Sequence, residues 1–168
     1  MSKNIILCGF MGCGKTTVGK NLQRRSGMNM IDTDAYIEKK QGMKISEIFD
    51  KYGESYFRDL EYEACCELSE KSGIIISTGG GALTFERNVE ALKKNGTIVL
   101  IDVPVDTIKE RLKNDTTRPL LQRPDRDKAM KDLYEKRMPL YKKAADIIVD
   151  GEFPPLQVAM NIIHTVKI

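Results

Sequence analysis

The 168-residue chain is poor in residues that build metal centres and disulfide frameworks, with one histidine and four cysteines. His164 cannot complete a Cys/His zinc site, and the spacings of Cys8, Cys13, Cys65 and Cys66 match no zinc template. Adjacent Cys65 and Cys66 in a helical stretch are poor disulfide partners, so reduced thiols in a cytoplasmic protein are expected. No apolar run is long enough to span a membrane. The short run Ile5–Cys8 behind Lys3 lacks a small-residue cleavage site and is soon interrupted by Lys15, so no export signal is read. The net charge is only +3, from 27 basic and 24 acidic residues, which gives no nucleic-acid signature. Internal repeats, low-complexity tracts and interdomain linkers are also lacking, and the length suits one compact domain.

The chain is 41% hydrophobic and 30% charged, a composition that buries a core without covalent staples. Its charge is unevenly spread. Thr107–Lys143 carries 12 Lys/Arg against 6 Asp/Glu, leaving 15 against 18 elsewhere. Short apolar runs read as buried strands at Asn4–Cys8, Met28–Asp32, Gly73–Ser77, Thr97–Asp102 and Ala145–Val149. Helical patterns fall at Lys15 to about Ser26, Ala35–Lys40, Ser46–Tyr52, Ser55–Lys71, Phe85–Lys94, Val105–Leu112, Lys128 to about Lys142 and Leu156–Val166. This alternation predicts an α/β protein of three layers, with a five-stranded parallel sheet between helices. The polar stretch 113–127, with Pro119 and Pro124, cannot be helical throughout and reads as a lid.

Gly9-Phe10-Met11-Gly12-Cys13-Gly14-Lys15-Thr16 fits G-x-x-x-x-G-K-[ST] without a mismatch, between a buried strand and a helix. Glycines let successive N–H groups turn towards phosphate oxygens, and the helix N-terminus adds partial positive charge. Gly12, Cys13, Gly14, Lys15, Thr16 and Thr17 are therefore expected around a nucleotide's phosphates. Lys15 is expected to reach the β- and γ-phosphates, and the Thr16 hydroxyl a Mg²⁺ ion. No Asn-Lys-x-Asp stretch is present to read guanine, and the chain has no room for a motor's accessory domains. A small kinase leads. A non-catalytic nucleotide-binding regulator is the alternative from a different class.

Asp32 and Asp34 close the second strand, where α/β sheets bind ligands. Asp32 is a candidate to hold Mg²⁺ through water, and Asp34 to accept or orient a hydroxyl; N-capping of the next helix is the plainer role. Arg58, taken alone, reads as a surface salt bridge to Asp59, Glu61 or Glu54. Gly79-Gly80-Gly81 after the third strand permits close approach of a ligand to backbone, with Ser77 just before it as an outer partner of the ion. Cys13 sits at a helix N-terminus, where a thiol can be acidified; an inert small side chain is the simpler expectation.

Taken in order, the loop at 9–16, Asp32-x-Asp34, Phe57-Arg58, Gly79–Gly81, Arg118-Pro119-Leu120-Leu121 and Arg137-x-Pro139-Leu140-Tyr141 resemble the shikimate kinase family over nearly the whole chain. The resemblance implies a P-loop kinase fold, like that of nucleoside monophosphate kinases, in a single domain over 1–168. It also implies a shikimate-binding helical region at about 33–61 and a mobile lid at about 113–127. The implied reaction is ATP-dependent phosphorylation of the shikimate 3-hydroxyl in aromatic amino acid biosynthesis, by a cytoplasmic monomer with no nucleic-acid or membrane partner. By similarity, Arg58, Gly80 and Arg137 bind shikimate and Asp34 is the candidate base. Arg118 is expected to reach phosphates from the lid, Arg111 to pack on adenine, and Pro154 to complete the adenine pocket. A gluconate or nucleoside monophosphate kinase is the nearest rival.

Overall fold

The computed structural model describes residues 2–168. Five parallel strands form one sheet in the order β2-β3-β1-β4-β5: β1 (Asn4–Cys8), β2 (Asn29–Asp32), β3 (Ile74–Ser77), β4 (Gly96–Asp102) and β5 (Ile147–Asp150). Burial follows position. Central β1 and β3 are buried at every residue, whereas edge β2 begins on exposed Asn29 and edge β5 exposes Ile148 and Asp150. The sequence accordingly supplies continuous Ile/Leu runs to the centre and mixed runs to the edges.

Eight helices cover the sheet: α1 (Lys15–Ser26), α2 (Thr33–Gln41), α3 (Ile45–Tyr52), α4 (Glu54–Ser69), α5 (Glu86–Lys93), α6 (Val105–Leu112), α7 (Arg126–Ala144) and α8 (Pro155–Val166). Single 3-10 turns at Ala82–Thr84 and Pro119–Gln122 were not anticipated from the sequence. Helix α2 begins two residues before the expected Ala35, because the Asp32 carboxylate caps it by accepting the Ala35 N–H at 2.9 Å. The main core joins the sheet to α1, the end of α4 and α5–α8, while Ile37, Ile48, Phe57 and Ala64 of α2–α4 form a second, smaller cluster.

Because β1 lies between β3 and β4, its carboxyl end is the topological switch point, where such sheets open a crevice. The loops after β1, β2 and β3 carry the glycine-rich motif, the aspartates and the triple glycine to that edge.

Candidate active site

The loop after β1 owes its shape to backbone torsions that favour glycine. Gly12 and Gly14 have φ of 76° and 92°, and Gly14 is the N-cap of α1. Lys15 folds back so that Nζ lies 3.5 Å from the Gly9 carbonyl. The Cys13 N–H already donates to the Phe10 carbonyl at 3.1 Å, so that residue shapes the loop and is not a free phosphate donor in this conformation. Its thiol is buried against Gly9, and burial raises its pKa, with Lys15 opposing. Desolvation thus outweighs the helix terminus, and the thiol is not acidified. Neighbouring Cys8 is pushed up to about 12 for the same reason.

A cleft of about 480 Å³ joins this loop to Asp32, Asp34, Gly79, Gly80, Arg118 and Arg137. Burial raises the Asp34 carboxyl above its ordinary range; the Asp32 charge adds to the shift and Lys15 opposes it. Asp32 keeps its capping bond on Oδ1 alone, leaving Oδ2 for another partner.

None of Gly79, Gly80 and Gly81 has a φ in the left-handed region, so conformation is not what demands glycine there. Space does. A Cβ at Gly79 would lie 2.7 Å from Asp34 Oδ1, one at Gly80 would lie 2.7 Å from Arg137 Nη1, and one at Gly81 would lie 2.6 Å from Arg58 Nη1. Three side chains from three different elements are each seated on one glycine. The close approach to backbone is therefore made first by the protein's own charged groups.

Arg58 is less exposed than a surface ion pair requires, at 17%, and its partner Glu61 is at 1%. They bond at 2.9 Å, with Glu54 at 3.5 Å, while Asp59 pairs instead with Arg87. The guanidinium also lies 5.2 and 5.0 Å from the ring centroids of Phe57 and Phe85. Burial raises the Glu61 carboxyl, with Arg58 opposing. Sequence reasoning named Glu61 only as a surface partner. Its buried role was readable from the helical period, since Phe57, Glu61, Ala64 and Leu68 share the inner stripe of α4.

On α7, Arg137 lies between Tyr134 and Tyr141 on the inward stripe, which aims it at Gly80. Tyr141 is 1% exposed, and its hydroxyl donates to the Gly80 carbonyl. Tyr134 donates to the Val103 carbonyl at 2.9 Å and packs edge-on against Phe10 of the loop. In the 113–127 stretch, Arg118 pairs with Asp115 and lines the cleft, whereas Arg123 pairs with exposed Asp125 outside it. Arg126, which sequence reasoning missed, ties the stretch together by donating to the carbonyls of Leu112, Asp115 and Leu121.

A second cavity of about 440 Å³ adjoins the loop and is lined by Thr17, Arg111, Phe153 and Pro154. Arg111 is held in its wall, donating to the Gly12 and Gly151 carbonyls at 3.0 Å each. Phe153, half exposed there, was not anticipated.

A phosphate loop after the first strand of a parallel α/β sheet, with Lys15, two aspartates and two arginines at one crevice, defines a small P-loop kinase. The shikimate kinase family model matches residues 11–167. A shikimate kinase of Thermodesulfovibrio yellowstonii is 48% identical over 162 residues, covering 96% of this chain and 93% of its own. The shikimate kinase of Acinetobacter baumannii, solved in complex with shikimate, superposes with a TM-score of 0.89 at 36% identity, covering 99% of this chain and 94% of its own. That of Aquifex aeolicus gives 0.84 at 44% identity, covering 98% and 96%. The chain belongs to the shikimate kinase family.

Proposed function

We propose that this kinase transfers the γ-phosphoryl group of ATP to the 3-hydroxyl of shikimate, releasing shikimate 3-phosphate and ADP for aromatic amino acid biosynthesis. One observation carries the reading: Asp34, Arg137 and Arg58 converge on three consecutive glycines, the first two of which line the crevice that holds Lys15. Two guanidiniums so placed suit a carboxylate, which arginine grips in a bidentate fork. The acid seated on the first glycine suits a hydroxyl.

In the transfer, the acceptor oxygen bonds to the γ-phosphorus as the bond from that phosphorus to the bridging oxygen breaks. The hydroxyl proton passes to Asp34. The transition state is loose, so positioning and charge neutralisation count for more than base strength. Lys15 and Arg118 neutralise charge on the transferred group, and the N–H groups of Gly12 and of residues 14–17 hold the other phosphates. Arg111, Phe153 and Pro154 frame the adenine. Residues 33–61 serve as the acceptor-binding region, and residues 113–127 close over the nucleotide as a lid that excludes water. The protein acts as a cytoplasmic monomer.

A magnesium ion fits the available donors. No group of three His, Cys, Asp or Glu that could hold a metal exists among the described residues, which agrees with an ion held largely by phosphates and water. The Thr16 hydroxyl and, through water, Asp32 Oδ2 are the side-chain donors for it. When bound, the ion withdraws charge from the β- and γ-phosphate oxygens.

The test is ADP release, coupled to NADH oxidation, with shikimate, gluconate and AMP offered separately. Stimulation by shikimate above the other two is expected. Release driven by gluconate or AMP alone, or by none of them, would refute the reading.

A further inference from the structure

Each polar group of the triple glycine can be assigned a partner or a vacancy. The Gly79 N–H donates to Thr33 Oγ1 at 3.0 Å, and the Gly79 carbonyl accepts from the Ala82 N–H at 3.1 Å. The Gly81 carbonyl accepts from the Thr84 N–H at 3.2 Å and from its hydroxyl at 2.6 Å. The Gly80 carbonyl accepts from the Tyr141 hydroxyl. Of these six groups, only the N–H groups of Gly80 and Gly81 are left without a protein acceptor among the described residues. In a trans peptide the carbonyl and the following N–H point in opposite directions. Whatever holds the Gly80 carbonyl therefore aims the Gly81 N–H away from itself.

Tyr141 holds that carbonyl from one side, from within the core and one helical turn after Arg137. Thr33, fully buried between Asp32 and Asp34, holds the loop from the other. Two hydroxyls thus fix the peptide planes on which Asp34, Arg137 and Arg58 rest, although neither is a group the transfer consumes.

We propose that Tyr141 is a positioning residue for the phosphoryl acceptor, with Thr33 as its counterpart across the loop. Its hydroxyl orients the Gly80–Gly81 peptide so that the free Gly81 N–H and the Arg137 guanidinium present one donor surface to the acceptor. The inference rests on the reading of shikimate as that acceptor.

The decisive variant is Tyr141→Phe, which keeps the ring and its packing and removes the bond. Losing a buried bond and orphaning a carbonyl should raise the KM for shikimate about tenfold, equivalent to about 1.4 kcal/mol. The KM for ATP should stay within about twofold. Tyr134→Phe is the matched control, because it removes a hydroxyl from the same helix face that bonds the Val103 carbonyl instead. It should lower Tm comparably and leave the shikimate KM alone. An unmoved shikimate KM in Tyr141→Phe would overturn the inference, as would parallel losses for both substrates matching those of Tyr134→Phe. Should Tyr141→Phe not fold, Thr33→Val decides by the same constants: a selective rise in shikimate KM supports the inference and no rise refutes it. Wild-type turnover is recorded alongside. Its absence with shikimate refutes the functional reading and this inference with it; its presence with an unmoved variant refutes this inference alone.

Discussion

Substituting Gly81 by alanine separates the acceptor site from the fold. The Gly81 torsions, φ −94° and ψ −10°, suit alanine, so no backbone strain enters. The new Cβ would stand 2.6, 2.7 and 2.9 Å from Arg58 Nη1, Nη2 and Cζ, where ordinary contact begins at 3.4 Å. Relieving the worst contact, 3.4 minus 2.6, requires the guanidinium to move by about 0.8 Å. That group is the end of a flexible side chain, so the fold should yield for about 1 kcal/mol, the low end of overpacking costs. In a chain this long, that lowers Tm by about 2–4 °C. The site has less freedom, because Arg58 is held by Glu61 at 2.9 Å and flanked by Phe57 and Phe85. A misplacement near 1 Å can cost about a hundredfold. Gly81→Ala should therefore lower kcat/KM for shikimate about a hundredfold while ATP affinity, read by calorimetry, is retained. Normal kcat/KM would refute the steric reasoning. Equal loss of nucleotide binding would show that the loop, and not Arg58, had moved.

Asp34→Asn should reduce kcat by at least about a hundredfold in the coupled assay, with ATP binding retained. It should also raise Tm at neutral pH. The folded-state pKa of Asp34 is raised, so the folded protein favours its protonated form, and stability falls as pH rises through that value. The neutral amide escapes that loss, and a lower Tm would contradict the assigned burial. Arg118→Ala should lower kcat about a hundredfold, as loss of a charge-stabilising donor does, whereas Arg123→Ala should change it less than twofold. Equal effects of the two would return Arg118 to the solvated surface. Iodoacetamide, followed by peptide mapping, should label half-buried Cys66 well before buried Cys8, Cys13 and Cys65. Early labelling of Cys13 would contradict its inward thiol.

Legibility in the sequence followed how contiguous each feature is. The phosphate loop is eight consecutive residues between a strand and a helix, so local pattern suffices to read it. The five strands were visible because a parallel sheet buries both faces and leaves unbroken apolar runs. The acceptor side is assembled from Asp34, Arg58, Gly79–Gly81 and Arg137, which meet only through the topology, and here the family resemblance did the placing. Bare reasoning put Arg58 on the surface, because an i,i+3 pair with Glu61 looks the same whether buried or not. It attributed the glycines to ligand approach because the side chains that fill their space are remote in sequence. Arg126 was invisible for a related reason: its partners are main-chain carbonyls, which carry no residue signature.

The central claim is the identity of the phosphorylated product. Incubation of the protein with ATP, magnesium and shikimate, followed by ¹H and ³¹P NMR of the mixture, reads it directly. One ADP per molecule of shikimate 3-phosphate is expected, with the phosphorus coupled to the proton at carbon 3, and no product from the Asp34→Asn variant. Consumption of ATP without a phosphorylated shikimate, or a phosphate at another hydroxyl, would contradict it.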